Sequence, residues 1–222
     1  MLSSSPYTMS AELNAMKWVL EDGCRDVRRI VLYASDTIPG MKCAELLKSY
    51  LETRCRAEIA VRVVKGLARE MWLGISNLGK HIVDDVVEAR RAGLDVYINL
   101  TGGFKPESGI ALLAAAVSGA NAVYYIHESF RDVVWLPIPP LRVDRARLES
   151  VLKLLEHIAR SDRIDPRDPL VAQHRWVVNI LLHTGFLKLE KVDDREMYVV
   201  THDLRANLEY IASYIRRLLM IE

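Results

Sequence analysis

The stretch that decides the fold reads "NLTGGFKPESG" and covers residues 99–109, where a strand pattern changes into a helix pattern. The mainly apolar run Val96–Leu100 predicts a buried strand, and the apolar run Ile110–Val117 predicts a helix. Proline and glutamate are both favoured in the first turn of a helix, so Pro106 and Glu107 indicate where this helix begins. The chain therefore turns from strand to helix within a few residues that include two glycines.

The same alternation of apolar strands and helices extends to both sides of this stretch. Strands are predicted at residues 29–34, 58–64, 94–100, 121–127 and 133–136, with helices at about 10–21, 41–54, 75–91 and 105–118. Strands that are apolar throughout are typical of parallel sheets covered on both faces. We therefore predict an α/β fold with a Rossmann-like, open, mainly parallel sheet, whose strand-to-helix turns share one edge and form the ligand site.

The proline-rich segment 137–140 predicts a boundary between two domains, residues 1–140 and residues 141–222. The second domain begins with an amphipathic helix that Asp144 caps, followed by a polar link and a second helix. A hairpin at 188–200, turning at Asp193-Asp194, and a last helix complete it. This order of elements predicts a small α+β module that is winged-helix-like.

Composition restricts the partners of the chain. The 222 residues carry 30 Lys and Arg against 29 Asp and Glu, so no overall charge draws the protein to DNA or to a membrane surface. No apolar run reaches the ~18 residues of a membrane span, and no signal-peptide core is recognised, so a cytoplasmic protein is expected. Cys24, Cys43 and Cys55 have no CxxC spacing. We predict reduced thiols rather than disulfide partners or zinc ligands.

The residues of the opening stretch suit an anion. Gly102 and Gly103 permit positive φ and leave room for another molecule against the main chain. The N-terminus of the following helix offers unpaired N–H groups, and Lys105 adds a mobile positive charge that suits phosphate. The alternative is a tight connection that needs glycine for its geometry and leaves a lysine exposed. Further candidates for ligand contacts on this turn are Thr101, Phe104 and Glu107.

A second candidate turn follows the first predicted strand. The side chains of Ser35, Asp36 and Thr37 can bond ribose hydroxyls or base edges, although an Asx turn with a helix cap explains the same residues. His127 follows the fourth predicted strand and reaches the same rim as a candidate ligand contact, although a histidine there is more often a packed or hydrogen-bonded residue than a catalyst. No cluster of His, Asp and Glu has ligand spacing, so neither a metal nor a cofactor is predicted.

Four motifs in order along the chain resemble a known family: "LYASDTIPGMKCAELLKSYL" (32–51), "VVKGL" (63–67), "NLTGGFKPESG" (99–109) and "AVYYIHESF" (122–130). Over about residues 3–140 the chain resembles the CRISPR-associated Rossmann-fold (CARF) sensors, in particular the archaeal branch that includes the ring nucleases. The resemblance implies a homodimer that binds cyclic oligoadenylate, usually cyclic tetra-adenylate, across its two-fold axis. This ligand is made during type III CRISPR defence.

The resemblance also implies roles for single residues. The active-site lysine of ring nucleases corresponds to Lys105. The first strand of the family ends in a Gly-Thr-Ser turn, and "SSSPYTM" (3–9) stands in its place, so Ser5 falls on the motif serine and Thr8 on a later threonine. This is a departure from the family, because the two residues before Ser3 are too few for a central strand. Either the start of the chain is set too late or the sheet has lost a strand.

The chemistry of RNA and this resemblance together predict a metal-independent ring nuclease. The ribose 2′-OH is the nucleophile, Lys105 stabilises the phosphorane, and Ser5 positions the 2′-OH, so cleavage leaves a 2′,3′-cyclic phosphate. The alternative is a sensor that binds the ring without cleaving it and acts as a ligand-gated regulator through its winged-helix-like module. DNA is disfavoured as a partner of that module, because residues 160–222 contain ten Lys and Arg and ten Asp and Glu.

A third reading is a ligand-activated ribonuclease. Arg167 and His174 have an Arg-x6-His spacing that resembles the HEPN ribonucleases associated with CARF domains. The proline-flanked link around Arg167 and the small size of the second domain disfavour this reading, and so short a spacing recurs by chance.

Overall fold

The computed structural model describes residues 5–126, 132–139, 141 and 144–220. Its contacts divide the chain into two compact units, Met1–Leu141 and Arg142–Glu222. The boundary lies next to the proline-rich segment 137–140. Among the described residues, no helix combines the length and the apolar character that a membrane span requires.

The first unit consists of helices and strands in the order α1 (Pro6–Met9), α2 (Ala11–Ala15), α3 (Lys17–Leu20), β1 (Arg29–Ser35), α4 (Ile38–Arg54), β2 (Glu58–Val64), α5 (Met71–Arg91), β3 (Tyr97–Asn99), α6 (Lys105–Ser118), β4 (Ala122–Ile126) and β5 (Val133–Pro137). The sequence predicts one helix over residues 10–21, whereas the structure divides it at Met16, which has ψ near 4°. Helix α6 begins at Lys105 and ends before Gly119, whose φ of 89° suits a left-handed C-cap.

The strands of this unit form two hydrogen-bonded sheets. Strand β1 pairs with β2 in parallel, and in the other sheet β3 pairs with β4 in parallel and β4 with β5 antiparallel. The antiparallel pair follows from a link between Ile126 and Val133 that is shorter than the roughly twelve residues of a parallel crossover. The sequence predicts one sheet, but no described strand pairs with both β1 and β3, because the described part of the segment before β1 is helical.

One hydrophobic core lies between these sheets and the helices. Leu13 of α2 and Leu51 of α4 are fully buried, and they belong to the same cluster as Tyr124 of β4. Ile30 and Leu32 of β1 pack against that cluster. Both sheets therefore contribute to a single core, which fixes the turns that follow β1 and β3 within one unit.

The prediction of three reduced thiols is wrong for two of them. Cys24 and Cys55 form a disulfide, and Cys43 is a free, exposed thiol. The two cysteines are 31 residues apart in sequence, and no cysteine-spacing motif predicts that they pair. They meet because Cys24 precedes β1, Cys55 precedes β2, and β1 and β2 are neighbours in the sheet.

Reduction of the Cys24–Cys55 bond is expected to lower the free energy of unfolding of the first unit by about 2–4 kcal/mol, because the bond closes a long loop. Urea denaturation of the wild type with and without a phosphine reductant measures the loss. The stability of a Cys24→Ala/Cys55→Ala variant should not respond to reductant, whereas a Cys43→Ala variant should respond as the wild type does. A wild-type midpoint that reductant does not move would contradict the bond.

The second unit contains α7 (Arg145–Arg160), β6 (Arg163–Ile164), α8 (Pro169–Gln173), α9 (Arg175–His183), β7 (Leu187–Val192), β8 (Arg195–Val200) and α10 (His202–Leu219). Asp144 caps α7 by accepting from the N–H of Arg147 at 3.0 Å. The β7–β8 hairpin turns at Asp193 and Asp194, which both have positive φ as a two-residue turn of this kind requires. Strand β6 pairs with β8, which gives an antiparallel sheet in the order β6-β8-β7.

Candidate functional site

Side-chain hydrogen bonds hold the turn between β3 and α6 against its own sheet. Asn99 Oδ1 accepts from the N–H of Thr101 at 3.0 Å, and Thr101 Oγ1 accepts from the N–H of Ile126 at 3.2 Å. Gly103 has a φ of 90°, a conformation that residues with a side chain rarely adopt. The turn is therefore tied to the ends of both β3 and β4, and glycine is required at its centre.

The N-terminus of α6 is open to solvent. Phe104 occupies the N-cap position, makes no side-chain cap bond and is 72% exposed. Lys105, the first residue of the helix, is also exposed. The first N–H groups of a helix lack partners within the helix, and they carry its positive dipole end. This end of α6 therefore offers N–H donors and a nearby lysine, which suits a phosphate.

A carboxylate that the sequence does not mark lies against the same turn. A Cβ atom added to Gly102 would stand 2.7 Å from Oε1 of Glu12, so a larger residue there would displace the end of the Glu12 side chain. Asn99 Nδ2 donates to the main-chain oxygen of Glu12 at 3.1 Å, and Ser10 Oγ donates to its carboxylate at 2.7 Å. The turn therefore carries a carboxylate next to Gly102, while Gly103 and Lys105 are exposed.

The second candidate turn follows β1 and contacts the end of β2. Thr37 Oγ1 accepts from the N–H of Gly40 at 3.2 Å and lies 2.7 Å from Ser35 Oγ. Asp36 Oδ2 accepts from the N–H of Gly66 at 3.1 Å. Thr37 therefore acts as the helix cap that the alternative interpretation predicts. Asp36 uses only one of its two carboxylate oxygens in this turn and can accept further hydrogen bonds.

Two buried carboxylate oxygens at these turns have no hydrogen-bond partner among the described residues. They are Oδ1 of Asp36 and Oε2 of Glu107, which lies in the first turn of α6. A buried acceptor without a partner costs about 1–3 kcal/mol. A ligand that brings hydroxyl or amino donors removes this cost, so both oxygens favour a ligand rich in such groups.

Among the described residues, no hydrogen bond joins Ser5 or Thr8 to this turn. Ser5 and Thr8 are exposed, and the main-chain oxygen of Ser5 accepts from the N–H of Thr8 at 3.2 Å, within the short helix α1. His127 lies outside the described residues. The turns after β1 and β3 belong to separate sheets, so strand pairing alone does not bring Asp36 and Lys105 to one edge.

The HEPN-like spacing does not assemble a site in the second unit. His174 is 6% exposed and its Nε2 lies 2.7 Å from Ser150 Oγ. Arg167 is exposed, and Asp165 accepts from its guanidinium at 2.8 Å and raises its pKa. The two side chains are engaged by different partners. Within the described parts of the chain, no group of three or more His, Cys, Asp or Glu could hold a metal ion.

Comparison with solved structures finds weak similarity to two proteins. One is protein VC1899 from Vibrio cholerae, with 10% sequence identity and a TM-score of 0.44 over 94% of this chain and 63% of that chain. The other is Can2 from Sulfobacillus thermosulfidooxidans, solved in complex with cyclic tetra-adenylate, with 14% identity and a TM-score of 0.38 over 92% of this chain and 63% of that chain. The chain thus spans less than two thirds of the length of either protein.

A known family accounts for most of the first unit. Residues 7–139 match the family described as CRISPR-associated protein (Cas_APE2256). The matched segment contains both candidate turns, with Asp36 in the first and Lys105 in the second. It covers more than half of the chain, which confirms the CRISPR-associated resemblance that the motifs indicate. The chain belongs to the CRISPR-associated protein family Cas_APE2256.

Proposed function

We propose that the protein binds cyclic tetra-adenylate at the turns after β1 and β3 and opens the ring as a metal-independent ring nuclease. The observation that carries this proposal is the turn at residues 101–105. There an exposed lysine starts a helix whose N-terminus has no side-chain cap, next to a glycine with positive φ. Membership of a CRISPR-associated family supports a ligand made during CRISPR defence.

The proposed reaction uses the nucleophile that RNA carries. The ribose 2′-oxygen attacks the adjacent phosphorus, the bond from phosphorus to the 5′-oxygen breaks, and the leaving oxygen takes a proton. The products are a 2′,3′-cyclic phosphate and a 5′-hydroxyl. Lys105 and the N–H groups after Gly103 stabilise the extra negative charge of the phosphorane. Ser5 holds the 2′-OH in line with the leaving oxygen.

Recognition of the bases and riboses follows from the acceptors at the turns. Asp36 Oδ1 and Glu107 Oε2 accept hydrogen bonds from ribose hydroxyls or from the adenine amino group. Phe104 is exposed enough to stack on a base, a contact worth about 1–3 kcal/mol. In this proposal the two sheets form halves of a Rossmann-like arrangement, and Thr8 and His127 contribute to the same rim.

The proposal is tested by incubating the protein with radiolabelled cyclic tetra-adenylate in the presence of EDTA. We expect linear products that end in a 2′,3′-cyclic phosphate, with no requirement for added metal. A ring that binds tightly and stays intact contradicts the nuclease and supports the alternative, a non-catalytic sensor. A protein that neither binds nor cleaves the ring contradicts both.

The alternative sensor would act through the second unit. The order helix, strand, helix, helix, strand, strand, helix from α7 to α10 supports a winged-helix module. On α9, Trp176 is 48% exposed and Ile180 is 52% exposed, and Arg147 lies 5.2 Å from the Trp176 ring. An apolar face of this kind favours contact with protein rather than with DNA, whose partners are strongly basic. We propose that this unit serves dimerisation.

We expect a homodimer. A ring with two-fold symmetry presents the same groups twice, and a single turn at residues 101–105 contacts only one of them. Light scattering at micromolar concentration should give twice the mass of one chain, with or without the ring. A monomer under both conditions would count against the shared site. We place this dimer in the cytoplasm of an archaeon, where the ring is made.

A further inference from the structure

A cavity lies at the opposite end of the β1–β2 sheet from the candidate site. The two strands run in parallel, with first residues Arg29 and Glu58 paired and last residues Ser35 and Val64 paired. The turn that contains Asp36 follows the last residues. The cavity lies at the end of the sheet where Arg29 and Glu58 begin the two strands, and the segments before β1 and β2 line it. Its volume is about 610 Å³.

The lining of this cavity is strongly basic. It contains Arg25, Arg28, Arg54 and Arg56, with Asp22 as its one carboxylate. Asp22 lies 4.0 Å from the Arg25 guanidinium, and both side chains are largely exposed. Within the described residues, neither Arg28 nor Arg56 forms an ion pair. The whole chain has a net charge of only +1, so this concentration of positive charge is local.

A covalent bond brings the arginines together against their mutual repulsion. Cys24 stands beside Arg25, Cys55 lies between Arg54 and Arg56, and the two cysteines are joined with a Cα–Cα distance of 5.1 Å. The N–H of Glu58 donates to the main-chain oxygen of Arg28 at 2.9 Å, which ties the same two segments again. All four arginines are exposed, and Arg28 and Arg56 have no carboxylate partner among the described residues, so their guanidinium groups are available to a bound anion.

We propose that this arginine cavity binds the phosphate groups of a nucleotide or of an RNA strand. A guanidinium forms two parallel hydrogen bonds with a phosphate, and several of them accommodate adjacent phosphates. The cavity volume lies within the range of about 300–1,000 Å³ that is usual for small-ligand sites. The arginine cavity is separate from the proposed ring site, because it lies at the other end of β1 and β2.

The test uses two probes, GTP and a fluorescein-labelled hexauridylate, with the full-length protein. Titration calorimetry follows GTP, and fluorescence anisotropy follows the RNA between about 50 and 200 mM salt. We expect the Arg28→Ala/Arg56→Ala variant to weaken binding of at least one probe by tenfold or more. For RNA, the slope of log K against log salt should become shallower by about 1.4, because two phosphate contacts of about 0.7 each are lost.

Two control variants separate this site from nonspecific charge and from the ring site. Arg91→Ala removes an exposed arginine of α5 and should not alter probe binding by more than about twofold, because it lies outside the cavity. Lys105→Ala removes the lysine at the ring site, and probe binding that persists in Lys105→Ala but is lost in Arg28→Ala/Arg56→Ala belongs to the arginine cavity. Ring cleavage by Arg28→Ala/Arg56→Ala should match that of the wild type. An unchanged melting temperature establishes that the double variant is folded, and Arg28→Lys/Arg56→Lys replaces it if it is not.

Each outcome of this test bears on the proposal. RNA that binds more tightly than GTP, with a steep salt dependence, identifies a strand as the ligand, and equal affinities identify a nucleotide. The proposal is overturned if the wild type binds neither probe at low salt, or if the double variant loses no more affinity than Arg91→Ala. Loss of probe binding in Lys105→Ala but not in the double variant assigns the phosphate to the ring site and also overturns it.

Discussion

Replacing Lys105 with alanine is expected to slow ring opening at saturating ligand by about 10²–10³-fold, as the removal of one oxyanion donor does in other enzymes. Lys105 is an exposed lysine at the N-terminus of α6. A group that stabilises the phosphorane lowers the barrier at saturation, whereas one that only attracts phosphate changes affinity. Single-turnover measurements with excess enzyme distinguish these roles, because product release does not limit them.

Two further variants make this result specific. Lys105→Arg keeps the charge but not the geometry of the ammonium, so binding should recover more fully than turnover. Lys188→Ala removes an exposed lysine of β7 and should change the rate by less than about threefold, since it belongs to neither candidate turn and exposed charges are screened. If Lys105→Ala binds weakly yet cleaves at the wild-type rate when saturated, the catalytic role of Lys105 is wrong and a purely electrostatic one replaces it.

Replacing Asp85 with alanine is expected to lower the free energy of unfolding of the first unit by about 3–5 kcal/mol. Asp85 of α5 is 8% exposed. Its carboxylate accepts from the Arg62 guanidinium of β2 at 2.7 Å and from the Tyr33 hydroxyl of β1 at 2.7 Å. The substitution removes the partner of a guanidinium and of a hydroxyl at once, so three elements lose their shared polar contact.

The protonated hydroxyl of Tyr33 supports the expected loss of stability in Asp85→Ala. Burial and the neighbouring carboxylate of Asp85 raise the pKa of Tyr33 well above its usual range, so its hydroxyl remains a donor at neutral pH. Tyr33→Phe removes one donor and keeps the Arg62–Asp85 pair, so it should cost only about 1 kcal/mol.

Urea denaturation measures both variants against Glu52→Ala, which breaks an exposed pair with Lys48 and should cost at most about 1 kcal/mol. A loss no greater for Asp85→Ala than for Glu52→Ala would show that the buried network contributes little to stability.

Local patterns predict the elements that contact mainly their own neighbours in sequence. The change of apolar period around residues 99–109 locates β3, the turn and α6 to within a few residues, because glycine and proline act on the backbone where they stand. The turn at Asp193 and Asp194 is equally local, because aspartate tolerates positive φ and is favoured in turns. The two-residue strand β6 is too short to carry a period, so no pattern indicates it.

Features that depend on distant parts of the chain were not predictable in this way. The Cys24–Cys55 bond and the Tyr33–Asp85 contact join residues 31 and 52 positions apart, and only the pairing of β1 with β2 and the packing of α5 bring them together. Glu12 reaches Gly102 because α2 packs beside β4, and a single glutamate near a helix start carries no such information. The division into two sheets likewise depends on long-range strand pairing, since β1 pairs with β2 and β3 pairs with β4.

Cys43 is the one cysteine outside the disulfide, and its exposed side chain lies in the second turn of α4, close to the end that Thr37 caps. A thiol-reactive nitroxide added without reductant therefore attaches a single spin label to each native chain, beside the turn of residues 35–37. In a two-fold assembly the two labels define one distance, which pulsed electron resonance measures. A change in that distance when cyclic tetra-adenylate is added would report a displacement of these turns, and its measurement needs no substitution in the protein.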